Sequence, residues 1–265
     1  MKKITAKALA QAAGGVLAHE GNEPVAEHIS LDSRKMAGND LFVPIIGERA
    51  DGHDYICMAI GNGATVVFTS RHKTEEEVQE AILTQCKGDK EKETAAKAAA
   101  WICVPDTRKA LQDFGAYCRR NNPIPLVGIT GSVGKTTTRE MVAAALSAGF
   151  LVYKTPGNSN SQVGVPITVA EIPENAEIGV IELGMSEPGE MTRIANVAQV
   201  NCAVMTNIGV AHIEQLGSQE NILKEKLHIQ DGMYEKRTLF LNGDDSLLRD
   251  VVPEKKKKKV LYGLS

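Results

Sequence analysis

Residues 130–138 read T-G-S-V-G-K-T-T-T. A lysine followed by a hydroxyl residue, set behind a glycine-rich turn, is suited to holding phosphate. Gly131 and Gly134 let the backbone wrap close to an anion. Lys135 can neutralise terminal phosphates, and the Thr136 hydroxyl can hold Mg²⁺. The commoner spacing G-x-x-x-x-G-K-[ST] would need glycine at position 129, where this chain has Ile129. The shorter form points to a particular branch of ATP-using proteins. The bland alternative is a plain strand-to-helix turn with a surface lysine.

Other residues could complete such a site. Glu182 ends the apolar run 178–181, and a carboxylate at a strand's carboxyl end is where a nucleotide-using protein needs a Mg²⁺ ligand. It could equally be an edge glutamate facing water. Thr206 and Asn207 end the next apolar run, and His212 follows in a loop. A lone histidine is usually a satisfied polar residue, but its place after a strand beside the other candidates favours function. Lys226 falls on a predicted helix, 220–230, where composition alone reads it as solvated. Asn158 and Asn160 sit in P-G-N-S-N-S, equally suited to forming turns or to contacting a nucleotide.

The elements that must position these residues form two α/β units. In the first, Thr5 caps a short helix stopped by Gly14 and Gly15. Strands are predicted at 28–30, 40–44, 64–69 and 102–104, with a helix over 55–60. Residues 74–101, rich in Glu, Lys and Ala, read as helical with a polar break at 87–93 and resemble a surface insertion. Asp106 or Thr107 caps a helix over 108–120, closed by Asn121-Asn122-Pro123. The second unit alternates elements at 126–129, after Lys135, 152–154, 165–170, 178–183, 190–196, 202–206 and 219–230, with later strands at 238–241 and 259–262. This argues for a mostly parallel sheet flanked by helices, whose ligands sit beyond the carboxyl ends of the strands. We place the domains at 1–105 and 106–265.

The bulk properties narrow the function. The chain has 265 residues, enough for two cores, and a net charge of −3, so no global basic field for nucleic acid is expected. Aromatics are 4% of residues, too few for base-stacking platforms. The lysine run 255–259 reads as a solvated turn between two strands. Five cysteines with no C-x-x-C pair argue for reduced thiols rather than disulfides or zinc. No run of 18 apolar residues suggests membrane insertion, and a cytoplasmic location is expected.

These motifs together resemble the Mur ligases, ATP-dependent amide-forming enzymes of peptidoglycan synthesis. The resemblance is carried by T-G-S-V-G-K-T at 130–136, G-N-S-N-S-Q-V-G-V-P at 157–166, I-E-L-G at 181–184 with Gly189-Glu190, Thr206-Asn207 through His212, and Gly217-Ser218 through Lys226. The N-terminal Asp32-Ser33-Arg34, D-L-F-V-P at 40–44, and Gly47 with Asp51-Gly52-His53 also match. The phosphate loop is common to the family and its folate-ligase relatives. The N-S-N…G-V-P and E-L-G segments point to the member that adds a dipeptide.

The resemblance implies ATP and Mg²⁺ as cofactors, and UDP-N-acetylmuramoyl-tripeptide and D-alanyl-D-alanine as substrates of a monomer. It implies a small N-terminal domain for the UDP substrate and a central P-loop-type domain for ATP. Gly131, Ser132, Val133, Gly134, Lys135, Thr136, Thr137, Asn158, Asn160 and Asn207 would bind the nucleotide. Thr136, Glu182, His212 and Lys226 would serve the metal, with Lys226 where the family carries a carbamylated lysine. Lys135, His212 and Lys226 would be catalytic, and Ser33 and Arg34 lie in the region that holds the UDP end. Mur ligases carry a third, C-terminal domain. This chain stops at Ser265, so a fragment or truncated form is expected and its standalone activity is open. The other readings are the Mur ligase that adds the third amino acid, an ATP-binding module without ligase activity, and a GTPase switch. The last lacks the guanine-reading Asn-Lys-x-Asp.

Overall fold

The computed structural model describes residues 1–254 and 256–264. It divides into two compact units, Met1–Tyr117 and Cys118–Ser265.

In the first unit, β1 (Ile4–Thr5) leads into α1 (Ala6–Ala13), where the Thr5 hydroxyl accepts the Ala8 N–H and Gly14 ends the helix at φ 67°. Then follow β2 (Val16–His19), β3 (Val25–Ala26), β4 (His28–Ser30), β5 (Asp40–Phe42), α2 (Ile56–Gly61), β6 (Ala64–Thr69), α3 (Glu75–Cys86), α4 (Lys90–Ala98), β7 (Ala100–Cys103) and α5 (Thr107–Asn121). Five strands pair in the order β2-β7-β6-β5-β4, parallel except for β2 against β7, while β1 and β3 form a separate antiparallel pair.

The surface insertion expected over 74–101 is not what folds there. Val78, Ala81, Ile82, Cys86 and Ala96 of α3 and α4 are buried with Phe42, Ile56, Val67 and Trp101 in one cluster. Their charged residues merely cover the outer face, and burial of apolar surface on the inner face drives packing. The break falls near its expected place, with Lys87 left-handed at φ 52° and Asp89 capping α4. The boundary proposed at 105/106 also differs. The first compact unit runs on to Tyr117, within α5: Thr107 is buried and its hydroxyl donates to the Pro44 carbonyl at 2.5 Å, tying the helix start to that unit.

The second unit runs β8 (Leu126–Thr130), α6 (Lys135–Leu146), β9 (Val152–Lys154), α7 (Gly164–Ala170), β10 (Ile178–Glu182), α8 (Glu190–Ala198), β11 (Cys202–Met205), α9 (Ile213–Leu216), α10 (Gln219–Leu227), β12 (Thr238–Asn242), α11 (Ser246–Arg249) and β13 (Lys258–Tyr262). All six strands are parallel, in the order β13-β12-β11-β8-β10-β9. Alternate strand residues feed opposite faces. Leu126, Ile181, Ala203 and Met205 join a core with Val165, Met191, Ile194 and Ile222 of α7, α8 and α10. Val127, Ile129, Val180 and Val204 face Ala143 and Leu146 of α6. Helices therefore cover both faces, and every strand points its carboxyl end the same way.

The lysine run departs from a simple turn: Lys256 is left-handed at φ 58°, Lys257 is buried and Lys258 opens β13, while Lys255 lies outside the described residues. Among the described residues, no helix is long and apolar enough to cross a membrane.

Candidate functional site

The carboxyl ends of β8, β9, β10 and β11 bring most of the expected residues to one edge of the parallel sheet. β8 runs out at Thr130 into Gly131, whose φ is 149°. A Cβ there would lie 1.9 Å from the Thr206 hydroxyl, so no side chain fits. Gly134, at φ 81°, caps α6 without any side-chain hydrogen bond to the helix. The first N–H groups of α6 thus face outward with the positive end of the helix dipole, an arrangement that suits an anion.

Asn207 clamps the loop rather than reaching into it. Its carbonyl accepts the Ser132 N–H and its Oδ1 accepts the Val133 N–H, both at 3.0 Å. Ser132 and Val133, expected among the nucleotide-binding residues, have their N–H groups taken up here by Asn207. Thr206 donates to the Val133 carbonyl at 2.6 Å, and the Gly209 N–H reaches the Ser132 hydroxyl at 2.9 Å. Behind Asn207, Asn242 donates to the Thr206 carbonyl at 3.0 Å and Asp245 accepts the Ile208 N–H at 2.8 Å. Asn242 and Asp245 went unnoticed in the sequence. Their signal was a polar Asn-Gly-Asp-Asp run at the carboxyl end of β12.

Lys135 folds back over its own loop, its Nζ donating to the carbonyls of Gly131 at 2.9 Å and Ser132 at 3.3 Å. Burial lowers its pKa, against the pull of Glu182. Glu182 is 1% exposed, and each of its carboxylate oxygens is engaged. Oε2 accepts the Thr136 hydroxyl at 3.1 Å and Arg139 at 3.3 Å; Oε1 accepts the Asn160 side chain at 2.8 Å. Arg139 also donates to the Gly157 carbonyl at 2.7 Å and to Glu140 at 2.7 Å. Sequence reading passed over Arg139, although it lies three residues after Thr136 and so shares its helix face. Asn160 is resolved as an orienting partner of Glu182. Asn158 is exposed in a turn, its carbonyl accepting the Asn160 N–H at 2.8 Å.

Lys226 is not a solvated helix lysine. It is 1% exposed on α10 and forms no ion pair among the described residues. Burial, with a further push from Lys135 and against the pull of Glu225, lowers its pKa to about 7. His212 is left-handed at φ 66° at the start of α9. Burial and the nearby Lys226 and Lys135 lower its pKa, while Glu190 opposes them. Glu190 is itself held by the Ser186 N–H at 2.6 Å and by Gln162 at 2.6 Å. Lys135, Lys226, His212 and Glu190 therefore share one electrostatic neighbourhood.

The donor set fits Mg²⁺ sparingly. A threonine hydroxyl and a carboxylate stand 3.1 Å apart beside an anion cradle, hard oxygen donors of the kind Mg²⁺ takes alongside phosphate oxygens and water. Among the described residues, no three His, Cys, Asp or Glu side chains are grouped to hold a metal. Lys226 would join as an oxygen ligand only once carbamylated.

Ser33 and Arg34 belong to the first unit. Arg34 is bound in two places to Asp32, at 2.8 and 2.9 Å, and this pairing holds the Asp32 pKa down to about 2. The Ser33 carbonyl accepts the Asn62 side chain at 2.8 Å. These residues form a local turn after β4.

A parallel sheet with a Gly-Lys-Thr loop on one strand and a buried carboxylate ending the next defines a P-loop-type nucleotide-binding unit. The chain belongs to the Mur ligase family: the Mur ligase middle domain matches residues 129–265, and the Mur ligase family catalytic domain matches residues 26–118. It is 36% identical over 251 residues to the UDP-N-acetylmuramoyl-tripeptide–D-alanyl-D-alanine ligase of Bacillus subtilis, covering 94% of this chain and 51% of that protein. Among solved structures, it is similar to MurF from Acinetobacter baumannii, with a TM-score of 0.84, 28% identity, and coverage of 99% of this chain and 54% of that one. MurF from Thermotoga maritima, solved in complex with ADP, matches with a TM-score of 0.73 at 29% identity, over 90% of this chain and 50% of that one. The chain spans about half the length of the curated relatives it matches.

Proposed function

We propose that the chain supplies the nucleotide site of an ATP-dependent ligase that joins D-alanyl-D-alanine to UDP-N-acetylmuramoyl-tripeptide through an acyl phosphate. The observation that carries this reading is the contact of Thr136 with Glu182 beside the start of α6, which no side chain caps. The likeness to ligases named for that reaction supports the choice of substrates.

On this reading, Lys135 leaves its loop carbonyls to meet the terminal phosphates, and the α6 N–H groups hold their oxygens in place. Thr136 and Glu182 would hold Mg²⁺, whose positive charge would offset that of the phosphoryl oxygens. Arg139 and Asn160 keep the Glu182 carboxylate in register. The depressed pKa of Lys226, about 7, leaves a neutral amine fraction at neutral pH that can form an N–C bond to CO₂, release a proton and become an anionic oxygen donor. His212 would stand beside it. In the first unit, Ser33 and Arg34 would receive the UDP end of the acceptor. The domain that binds UDP substrate would be residues 1–105 and the ATP domain 106–265, with the refinement that α5 begins within the first unit.

ATP binding and amide formation are measured separately on this chain and on Lys135→Ala. The expected result is Mg²⁺-dependent ATP binding, weakened at least about tenfold by the substitution, since a charge-assisted hydrogen bond contributes about 1.5–3 kcal/mol. Equal ATP affinity in the two proteins would overturn the loop assignment. Because the chain spans about half of its relatives, binding without turnover favours the second reading, a nucleotide-binding module. Turnover with a single diamino acid in place of the dipeptide would reassign the substrate.

A further inference from the structure

The opposite edge of the same sheet holds a second cationic site. Arg119, Arg120, Pro123, Gln199, Asn201, Tyr234 and Arg237 line a pocket of about 190 Å³. It lies at the amino ends of β8, β11 and β12. The phosphate loop leaves the carboxyl end of β8, so the strand's full five residues separate the two, at about 3.3 Å each. Ligand sites of parallel sheets gather at carboxyl ends, so this pocket is no part of the nucleotide site.

Arg119 is 6% exposed and has no carboxylate partner among the described residues. Its guanidinium donates to the carbonyls of Ala198 at 2.9 Å, Asn122 at 2.7 Å and Gln199 at 3.3 Å, and to the Asn201 side chain at 3.2 Å. These acceptors close the ends of α5 and α8 and satisfy the hydrogen bonds, but they leave a full positive charge. Burial lowers the Arg119 pKa, Tyr234 opposes this, and Arg237 adds a smaller push downward. Neither Arg120 nor Arg237 has an acidic partner within ion-pair distance among the described residues. The Tyr234 hydroxyl reaches over to Gln199 Oε1 at 3.5 Å. Buried charge is costly unless balanced, and three arginines with hydroxyl and amide groups around one cavity are the chemistry that recognises a phosphate.

We propose that this pocket binds a small phosphate dianion at a site separate from the nucleotide loop. With water occupying about 30 Å³ each, 190 Å³ accommodates a tetrahedral oxyanion and a few waters, and excludes a nucleotide. Arg120 and Arg237 supply the forked donors, and Arg119 supplies the fixed field behind them.

The test uses thermal unfolding in potassium phosphate against potassium chloride at matched ionic strength. It is run on Lys135→Ala, so that the loop contributes least. Phosphate is expected to raise the midpoint there, and Arg120→Gln with Arg237→Gln in the same background is expected to abolish the rise. Arg119 is kept because it closes two helix ends. Should the combined variant fail to fold, Arg120→Gln alone, at an exposed side chain, is expected to shift half-saturation to higher phosphate. No rise in Lys135→Ala, a rise untouched by the arginine substitutions, or an equal rise with malonate overturns the proposal. None of these outcomes depends on ATP turnover, so the ligase reading stands or falls separately.

Discussion

His53 in the first unit and Lys226 in the second are both buried titratable side chains, 0% and 1% exposed, in opposite surroundings. His53 Nδ1 meets Asp51 at 2.6 Å, and its Nε2 accepts the Ser70 N–H at 3.0 Å, which places the ring proton on the Asp51 side. Asp51 in turn holds Arg71, and the His53 carbonyl accepts Gln85 at 3.1 Å. Every polar atom of that histidine is answered. Lys226 forms no ion pair or hydrogen bond among the described residues, and a second ammonium, Lys135, acts on it against the opposing pull of Glu225. A closed polar network holds a fold together. A buried charge with no answer destabilises the fold, and such a cost persists where a ligand or a modification supplies the missing partner.

Four substitutions probe that contrast. Glu182→Ala removes one of the two carboxylates of buried Arg139 and leaves Glu140, and breaking a buried pair from one side costs at most about 3–5 kcal/mol; urea unfolding measures it, and wild-type stability would show the pair is not coupled. His53→Ala leaves the Ser70 N–H unanswered and opens a cavity, for a loss of about 3 kcal/mol. ATP affinity should not move with it, and a change in affinity would break the division between structural and functional networks. Lys226→Met is expected to stabilise the metal-free chain at pH 7 by about 2 kcal/mol, since a paired charge is not being lost.

The same lysine predicts a pH slope. Its folded pKa, about 7, lies below the ordinary 10.5. Between those values, the unfolded chain binds the extra proton, so stability rises with pH, by up to about 1.4 kcal/mol per unit. Below pH 7 both states are protonated and the full cost is present. Lys226→Met should flatten the slope between pH 7 and 10, and a slope that survives would assign it to another group. Lys135→Ala should change stability least, within about 0.5 kcal/mol, because its partners are carbonyls of a loop already clamped by Asn207.

The sequence disclosed what is local. The phosphate loop, the Glu182 strand end, and strands such as His28–Ser30 and Ala64–Thr69 follow from short runs whose pattern and punctuation agree. It hid what depends on distant partners. Val16–His19 follows two glycines and gains its strand character from pairing with β7. The Glu- and Lys-rich helices over 75–98 look solvated because only a narrow stripe, Val78, Ile82 and Ala96 among them, is buried. Arg139 acquires meaning from Glu182, 43 positions away, and Lys226 from burial that no property of its own segment announces.

The position of β8 in the sheet also sets an order of events during synthesis. Its two neighbours, β10 and β11, are made after it, and the contact that seats its first residue, Leu126 on Asn201, spans 75 positions. Chains leave the ribosome at about 5–20 residues per second, so the loop emerges several seconds before the Asn207 clamp that shapes it. A nascent chain halted before β11 should therefore be blind to nucleotide. Loop closure over such separations is slow, which makes nucleotide capture a late reporter of folding in this unit.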